Sequence, residues 1–146
     1  MIKIYNFFVR MLYSIRFLPP LLFRFILAYG FLVPFLAKIE NFPGTVEFFN
    51  QLHIPHPELS AYLSVTFEGL GVLFLFFGFA TRLITIPLIF LLCVAIATVH
   101  WQHGFAAGHN GFEIPLYYIL MLFSLLVSGP GALSIDAYIR GQMERK

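Results

Sequence analysis

The sequence predicts an all-α membrane protein, a bundle of four transmembrane helices accompanied by short interfacial helices. Of its 146 residues, 60% are hydrophobic and 11% are charged, whereas a soluble domain carries about 25% charged residues. Four apolar runs, separated by polar or Gly- and Pro-rich segments, each approach the length that crosses a bilayer. So few charged side chains cannot cover the surface of a soluble protein of this size.

The first apolar run follows a basic segment. Residues 1–17 mix apolar residues with three cations, which is typical of an interfacial segment lying on an anionic leaflet; a frayed basic tail is the alternative. Residues 18–37 form the first predicted span and supply the run of about 20 apolar residues that a crossing needs, interrupted by Arg24. Pro19 and Pro20 suit the first helical turn, where a missing N–H is harmless.

Three further spans follow the first. Residues 46–52, between two proline-containing stretches, form a candidate short interfacial helix. The second span is predicted at 59–79 and the third at 83–101. After a loop rich in Gly and His at 102–111, the fourth span at 112–128 is near the lower length limit for a crossing.

The lysines and arginines predict the orientation. Seven of the nine cations fall on one side of a four-span arrangement, and the positive-inside rule places that side in the cytoplasm. These seven are Lys3, Arg10, Arg16, Arg82, Arg140, Arg145 and Lys146. We therefore expect a bacterial-type inner-membrane protein with both termini cytoplasmic. Its parts would be the interfacial segment 1–17, a transmembrane domain 18–137 and a cytoplasmic tail 138–146.

Charge and cysteine content exclude several function classes. The formal net charge is +2, which gives no support for nucleic-acid binding. Cys93 is the single cysteine, so an internal disulfide, a CxxC redox pair and a zinc finger are ruled out. No phosphate-binding loop, HExxH motif or dinucleotide fingerprint occurs. The lipid bilayer is the partner that the composition indicates most directly.

Glu68, near the middle of the second span, poses the main chemical question. Ionisable groups at membrane depth are costly, face the bundle interior and usually mark a functional centre. Because helical side chains lean toward the N-terminus, Lys38, Glu68 and His100 should converge in the outer half of the bundle, with Arg24 below them. Two interpretations stay open: a pocket for a proton-exchanging or anionic headgroup such as a quinone, or a structural ion pair between spans. For Arg24 itself, reaching the inner interface is favoured over binding a ligand.

The five histidines all lie in or beside the outer loops. His100 and His103 have the spacing that shares one helical face, and together with His109 they are candidates for a transition-metal site. The simpler interpretation, ordinary loop histidines forming interfacial hydrogen bonds, is favoured. We expect His100 to be partly shielded, and His103 and His109 to be more exposed.

Several motifs, in order along the chain, resemble the DoxX family. Arg24, Tyr29-Gly30 and Lys38 look like the family's first span, and Glu68 with the glycines leading to Thr81-Arg82 resembles its "L-G-x-x-T-R" segment. Other matching segments are Phe48 to Pro55, with His53 and Ile54 where a glycine is frequent; His100 at the end of the third span; and Gly129 to Asp136, similar to "G-P-G-x-x-S-x-D". The resemblance covers about residues 20–137.

The resemblance implies a small four-helix inner-membrane protein with a quinone-linked or redox-accessory role. Family members include the small subunit of an archaeal thiosulfate:quinone oxidoreductase and membrane partners of redox-stress complexes. We therefore predict an accessory subunit, rather than a stand-alone enzyme, that docks a quinone or a partner enzyme. Because four short spans bury little surface, a homodimer is also expected. No catalytic residue is assigned. The alternatives are a non-catalytic membrane scaffold, a small-solute permease, and a periplasmic-side metal-handling protein that uses the outer histidines.

Overall fold

The computed structural model describes residues 2–145, and within that range it contains helices, turns and loops but no β-strand. The α-helices are α1 (Ile2–Ser14), α2 (Leu18–Glu40), α3 (Phe42–Gln51), α4 (Pro57–Phe77), α5 (Thr81–Ala95), α6 (Glu113–Ser128) and α7 (Ile135–Met143). The prediction of an all-α protein is confirmed.

Three helical stretches are long and apolar enough to cross a bilayer. They are α2, α4 and the continuous stretch Thr81–His103 that begins with α5. Helix α6 is apolar but has 16 residues, or about 24 Å, against a hydrocarbon core of about 30 Å. Within residues 2–145, three helices, and not the predicted four, are therefore long enough to cross a bilayer of normal thickness. Helix α6 crosses only if the bilayer thins locally. The chain is nevertheless an all-α membrane protein, with many large apolar side chains exposed on these helices.

One face of α4 forms the centre of the bundle. Its buried residues are Ala61, Ser64, Glu68, Gly71 and Leu75, which recur every three or four positions and so lie on one side of the helix. A Cβ at Gly71 would lie 2.9 Å from a methyl carbon of Leu88, so the glycine permits the close approach of α5. Small residues at helix contacts are typical of membrane bundles.

A single apolar core joins four helices. Its buried members come from α2 (Leu27, Ala28, Phe31), α4 (Leu75), α5 (Ile84, Leu88) and α6 (Leu122, Leu125). Helix α2 packs beside α4, α4 packs beside α5, and α5 packs beside α6. Helix α3 lies against α4, where the rings of Phe42 and Tyr62 are 4.5 Å apart.

The end of the third long helix is irregular. Helix α5 continues as a π-helical turn at Ile96–His100 and a 3₁₀ turn at Trp101–His103. The loop that follows is tied to α6 by Glu113, whose carboxylate accepts the Ala107 N–H at 3.0 Å and the Tyr117 hydroxyl at 3.1 Å. This loop is therefore held in place by hydrogen bonds to the first turns of α6.

The segment after α6 contains a helix that the sequence pattern did not predict. Helix α7 begins after Ser134, whose hydroxyl oxygen accepts the Ala137 N–H at 3.1 Å. A helix of nine residues is marginal on its own, so the contacts of its first turn with the start of α5 matter. The proposed division of the chain at residues 17 and 137 stays a prediction.

Candidate functional site

Lys38 and Glu68 form an ion pair between α2 and α4. The Lys38 Nζ atom lies 2.6 Å and 2.7 Å from the two carboxylate oxygens of Glu68. The Ser64 hydroxyl donates a third hydrogen bond to Oε1 at 3.1 Å. Glu68 is 6% exposed, so its charge is stabilised by these donors in place of water.

The position of each residue in its helix explains the pairing. Lys38 lies two residues before the end of α2 at Glu40. Glu68 follows Pro57, the first residue of α4, by eleven residues, about 17 Å along the axis. Because side chains lean toward the N-terminus of their own helix, Lys38 extends back along α2 toward the middle of the bundle. Glu68 extends toward the first turn of α4. The two charges therefore meet although their Cα atoms lie at different depths.

The pair carries no net charge, which suits its surroundings. Removing one member of a buried pair leaves the other charge unpaired and typically costs about 3–5 kcal/mol. Moving a proton from the Lys38 ammonium to the Glu68 carboxylate converts two charges into two neutral groups. Such a transfer within the pair leaves its net charge at zero.

A cleft of about 240 Å³ lies beside Lys38, between the end of α2 and α3. Its wall includes Lys38, Asn41, Thr45, Phe48 and Phe49. An ammonium has three N–H donors, and two of them suffice for the Glu68 oxygens. The third can serve a ligand in the cleft, whose volume is below the usual range of about 300–1,000 Å³ for ligand pockets. A single ring headgroup is the size of ligand that this space accommodates.

His100 is held in the third loop. Its Nδ1–H donates to the Asn110 carbonyl oxygen at 2.8 Å, because a carbonyl can only accept. In the described part of the chain, no hydrogen bond joins His100 to Lys38 or Glu68. The structure thus brings together two of the three residues that were expected to converge, and it leaves His100 bonded within its own loop.

The other two metal candidates also lie in the third loop. His103 donates to the Val99 carbonyl oxygen at 2.8 Å. His103 and His109 are exposed, whereas His100 is half-buried. Across residues 2–145, no group of three or more His, Cys, Asp or Glu side chains has a geometry that would hold a metal ion.

Arg24 lies at the opposite end of the bundle and is 2% exposed. Its guanidinium donates to the carbonyl oxygens of Leu75 at 2.9 Å, Phe76 at 3.1 Å, Pro130 at 2.9 Å and Leu133 at 2.7 Å. That Arg24 reaches the inner interface stays a prediction; its guanidinium lies buried at this end of the bundle. The last carbonyls of a helix lack intrahelical partners and attract cations, so the end of α4 draws the guanidinium inward.

The same end contains further long-range contacts that the sequence pattern did not predict. The Asp136 carboxylate accepts the N–H groups of Ala80 at 2.8 Å and Thr81 at 3.0 Å, and thereby caps α5 from a distant part of the chain. Arg82 donates to the Val127 carbonyl oxygen at 3.0 Å. The sequence signal that could have pointed to these contacts was the pair of family-like motifs at 78–82 and 129–136, which lie against each other here.

We call Arg24 with these two segments the tail end. We call Lys38, Glu68 and the adjacent cleft the ion-pair end.

Comparison with known proteins adds a family and three relatives. A family model described as DoxX matches residues 20–101. An "Uncharacterized protein" from Haemophilus influenzae is 30% identical over 127 residues, which cover 82% of each chain. The "Putative oxidoreductase CatD" of Bacillus subtilis is 32% identical over 121 residues, covering 82% of this chain and 85% of the relative. The "Inner membrane protein YphA" of Escherichia coli is 31% identical over 111 residues, covering 73% and 79%. No solved structure matches the chain significantly.

Proposed function

This chain belongs to the DoxX family of membrane proteins, and we propose that it is an accessory subunit of a quinone-linked redox complex in the inner membrane. The observation that carries the proposal is the Lys38–Glu68 pair beside a cleft with two phenylalanines in its wall. One relative is named as an oxidoreductase and another as an inner membrane protein, which supports a redox role at that location.

In this proposal, the headgroup of a quinone docks in the cleft against Phe48 and Phe49. Lys38 donates a hydrogen bond to one quinone oxygen, and Glu68 holds the ammonium in position. Reduction of a quinone to a quinol takes up two electrons and two protons. A partner redox enzyme would supply the electrons. Lys38 would supply one proton and would be reprotonated from the water at the ion-pair end, and the second proton would come from the same water.

The proposed orientation places both termini in the cytoplasm and the ion-pair end toward the periplasm, following the positive-inside rule. Reporter fusions after Lys146 and within residues 102–111 should therefore give signals from opposite sides of the membrane. A fusion after residue 52, on the ion-pair end, should match the fusion in the third loop. Signals from the same side at Lys146 and in the third loop would overturn the orientation and the four-span arrangement together.

Bound quinone is the measurement that tests the function. The full chain, purified in mild detergent, is extracted with organic solvent, and its quinone content is compared with that of Glu68→Gln and Lys38→Gln. Both variants should lose the quinone. Glu58→Gln is the matched control, because Glu58 is an exposed carboxylate in the first turn of the same helix; it should retain the quinone.

A double variant separates docking from a purely structural role. Replacing both charges by apolar residues, as in Lys38→Met with Glu68→Leu, often preserves the stability of a buried pair. We expect this variant to fold and to lack quinone. If it retains the parental quinone content, the pair only holds α2 to α4, and a non-catalytic scaffold or a permease becomes the better assignment.

A further inference from the structure

We infer that the tail end carries a binding cleft for the phosphate of an anionic phospholipid, between the start of α5 and α7. A cavity of about 260 Å³ lies there, and its wall includes Arg82, Arg140 and Asp136. This cleft is distinct from the proposed quinone cleft, because Arg82 lies at the start of α5 and Lys38 near the outer end of α2.

The charges of the cleft favour an anion. Among the side chains that the structure describes, neither Arg82 nor Arg140 forms a salt bridge. Arg82 uses one guanidinium nitrogen to donate to the Val127 carbonyl oxygen, and Arg140 is exposed. The one acid in the wall, Asp136, has each carboxylate oxygen occupied by a backbone N–H. Guanidinium groups with free N–H donors are suited to binding a phosphate.

The apolar part of the cleft identifies the phosphate as that of a lipid. Leu83 is 71% exposed, Met143 is 66% exposed and Ile139 is 40% exposed, and all three belong to the same wall as the arginines. A free phosphate ion would leave these side chains in water. A phospholipid joins its phosphate to acyl chains, which can cover them where α5 enters the bilayer. Basic side chains near the membrane surface are the usual partners of anionic headgroups.

The test uses the full chain in detergent, titrated separately with phosphatidylglycerol and with phosphatidylcholine, with retained lipid counted by native mass spectrometry. Phosphatidylglycerol should bind in preference. Arg140→Gln should weaken that binding by about fivefold, because one basic residue at an anionic surface is worth about 1 kcal/mol. Arg145→Gln is the matched control: it removes the same charge from the same tail, outside the cleft wall, and should bind as the parent does.

Further variants and a competitor make each outcome decisive. Met143→Ser changes the apolar wall without changing charge and should also reduce retention of phosphatidylglycerol. Equal weakening by Arg140→Gln and Arg145→Gln would mean a diffuse charge effect and would overturn the proposal. Equal retention of phosphatidylglycerol and phosphatidylcholine by the parent would also overturn the proposal. Displacement of phosphatidylglycerol by inorganic phosphate at equal concentration would assign the cleft to the free ion. Thermal melting of each variant without added lipid checks that the fold is intact.

Discussion

Two cations on α2 are removed from bulk water in opposite ways. Arg24 at the tail end donates to four backbone carbonyl oxygens. Lys38, fourteen residues further along, is paired with one carboxylate. Backbone carbonyls carry only a partial charge, so Arg24 is held by dipoles. The carboxylate of Glu68 carries a full charge, so Lys38 is held by an ion pair.

This difference separates a cation fixed by backbone carbonyls from a cation paired with a carboxylate beside an open cleft. Arg24 joins the end of α4 to the segment before α7, and its planar fork of five N–H donors is nearly saturated by these acceptors. Lys38 has a donor to spare and lies beside an open cleft. Burial of a charge is therefore no sign of function by itself. The kind of partner decides whether the charge can take part in chemistry.

The largest expected effect is at Arg24. In Arg24→Met, four carbonyl oxygens lose their donor, and each buried acceptor left unsatisfied costs about 1–3 kcal/mol. We expect little folded protein, measured as the monodisperse fraction in size-exclusion chromatography. Arg24→Lys should recover part of the yield, since an ammonium can serve some of the acceptors. Arg16→Met, an exposed cation before α2, should behave as the parent does; parental yield from Arg24→Met would end the structural interpretation of the tail end.

The second largest expected loss of stability is at Glu68, and the carboxylate of Glu113 serves as the comparison. Glu68→Gln leaves Lys38 without its counter-ion and should lower stability by about 3 kcal/mol, the low end of the range for buried pairs, because the Lys38 side chain is 19% exposed and water can solvate part of its charge. Glu113→Gln retains an oxygen that can accept the Ala107 N–H, at the water-facing start of α6, and should cost less than about 1.5 kcal/mol. Thermal melting of the two purified variants decides between them. Equal losses of stability in the two variants would show that Glu68, in the middle of α4, matters no more to the fold than Glu113 at the start of α6.

The smallest expected loss of stability is at Gly78, inside the tail end; Gly141, outside it, serves as the comparison. Gly78 has a φ of +67°, and a Cβ there would lie 2.8 Å from the Arg24 guanidinium. We expect Gly78→Ala to destabilise the protein by about 1–3 kcal/mol. Gly141 is in α7 with open space around it, so Gly141→Ala should be neutral or stabilise the helix by about 0.5–1 kcal/mol. A neutral Gly78→Ala in the same melting assay would mean that the contacts of Arg24 are loose.

The sequence by itself determined that the protein is an all-α membrane protein and that Lys38 and Glu68 lie close together. Apolar runs and their lengths are local properties, so the all-α membrane fold follows from composition and spacing. The meeting of Lys38 and Glu68 was also predictable, because it depends on position along two antiparallel helices and on the lean of helical side chains.

Tertiary structure decided the rest. The partners of Arg24 lie 51 to 109 residues further along the chain, and Asp136 caps a helix that begins 55 residues before it. No local pattern encodes such contacts, because they exist only once the turn at 78–82 and the segment 129–136 are packed together. The same reason explains His100. Its helix ends in a wide turn that directs the ring to Asn110, a bond within the loop that was not foreseen when His100 was placed with the buried pair.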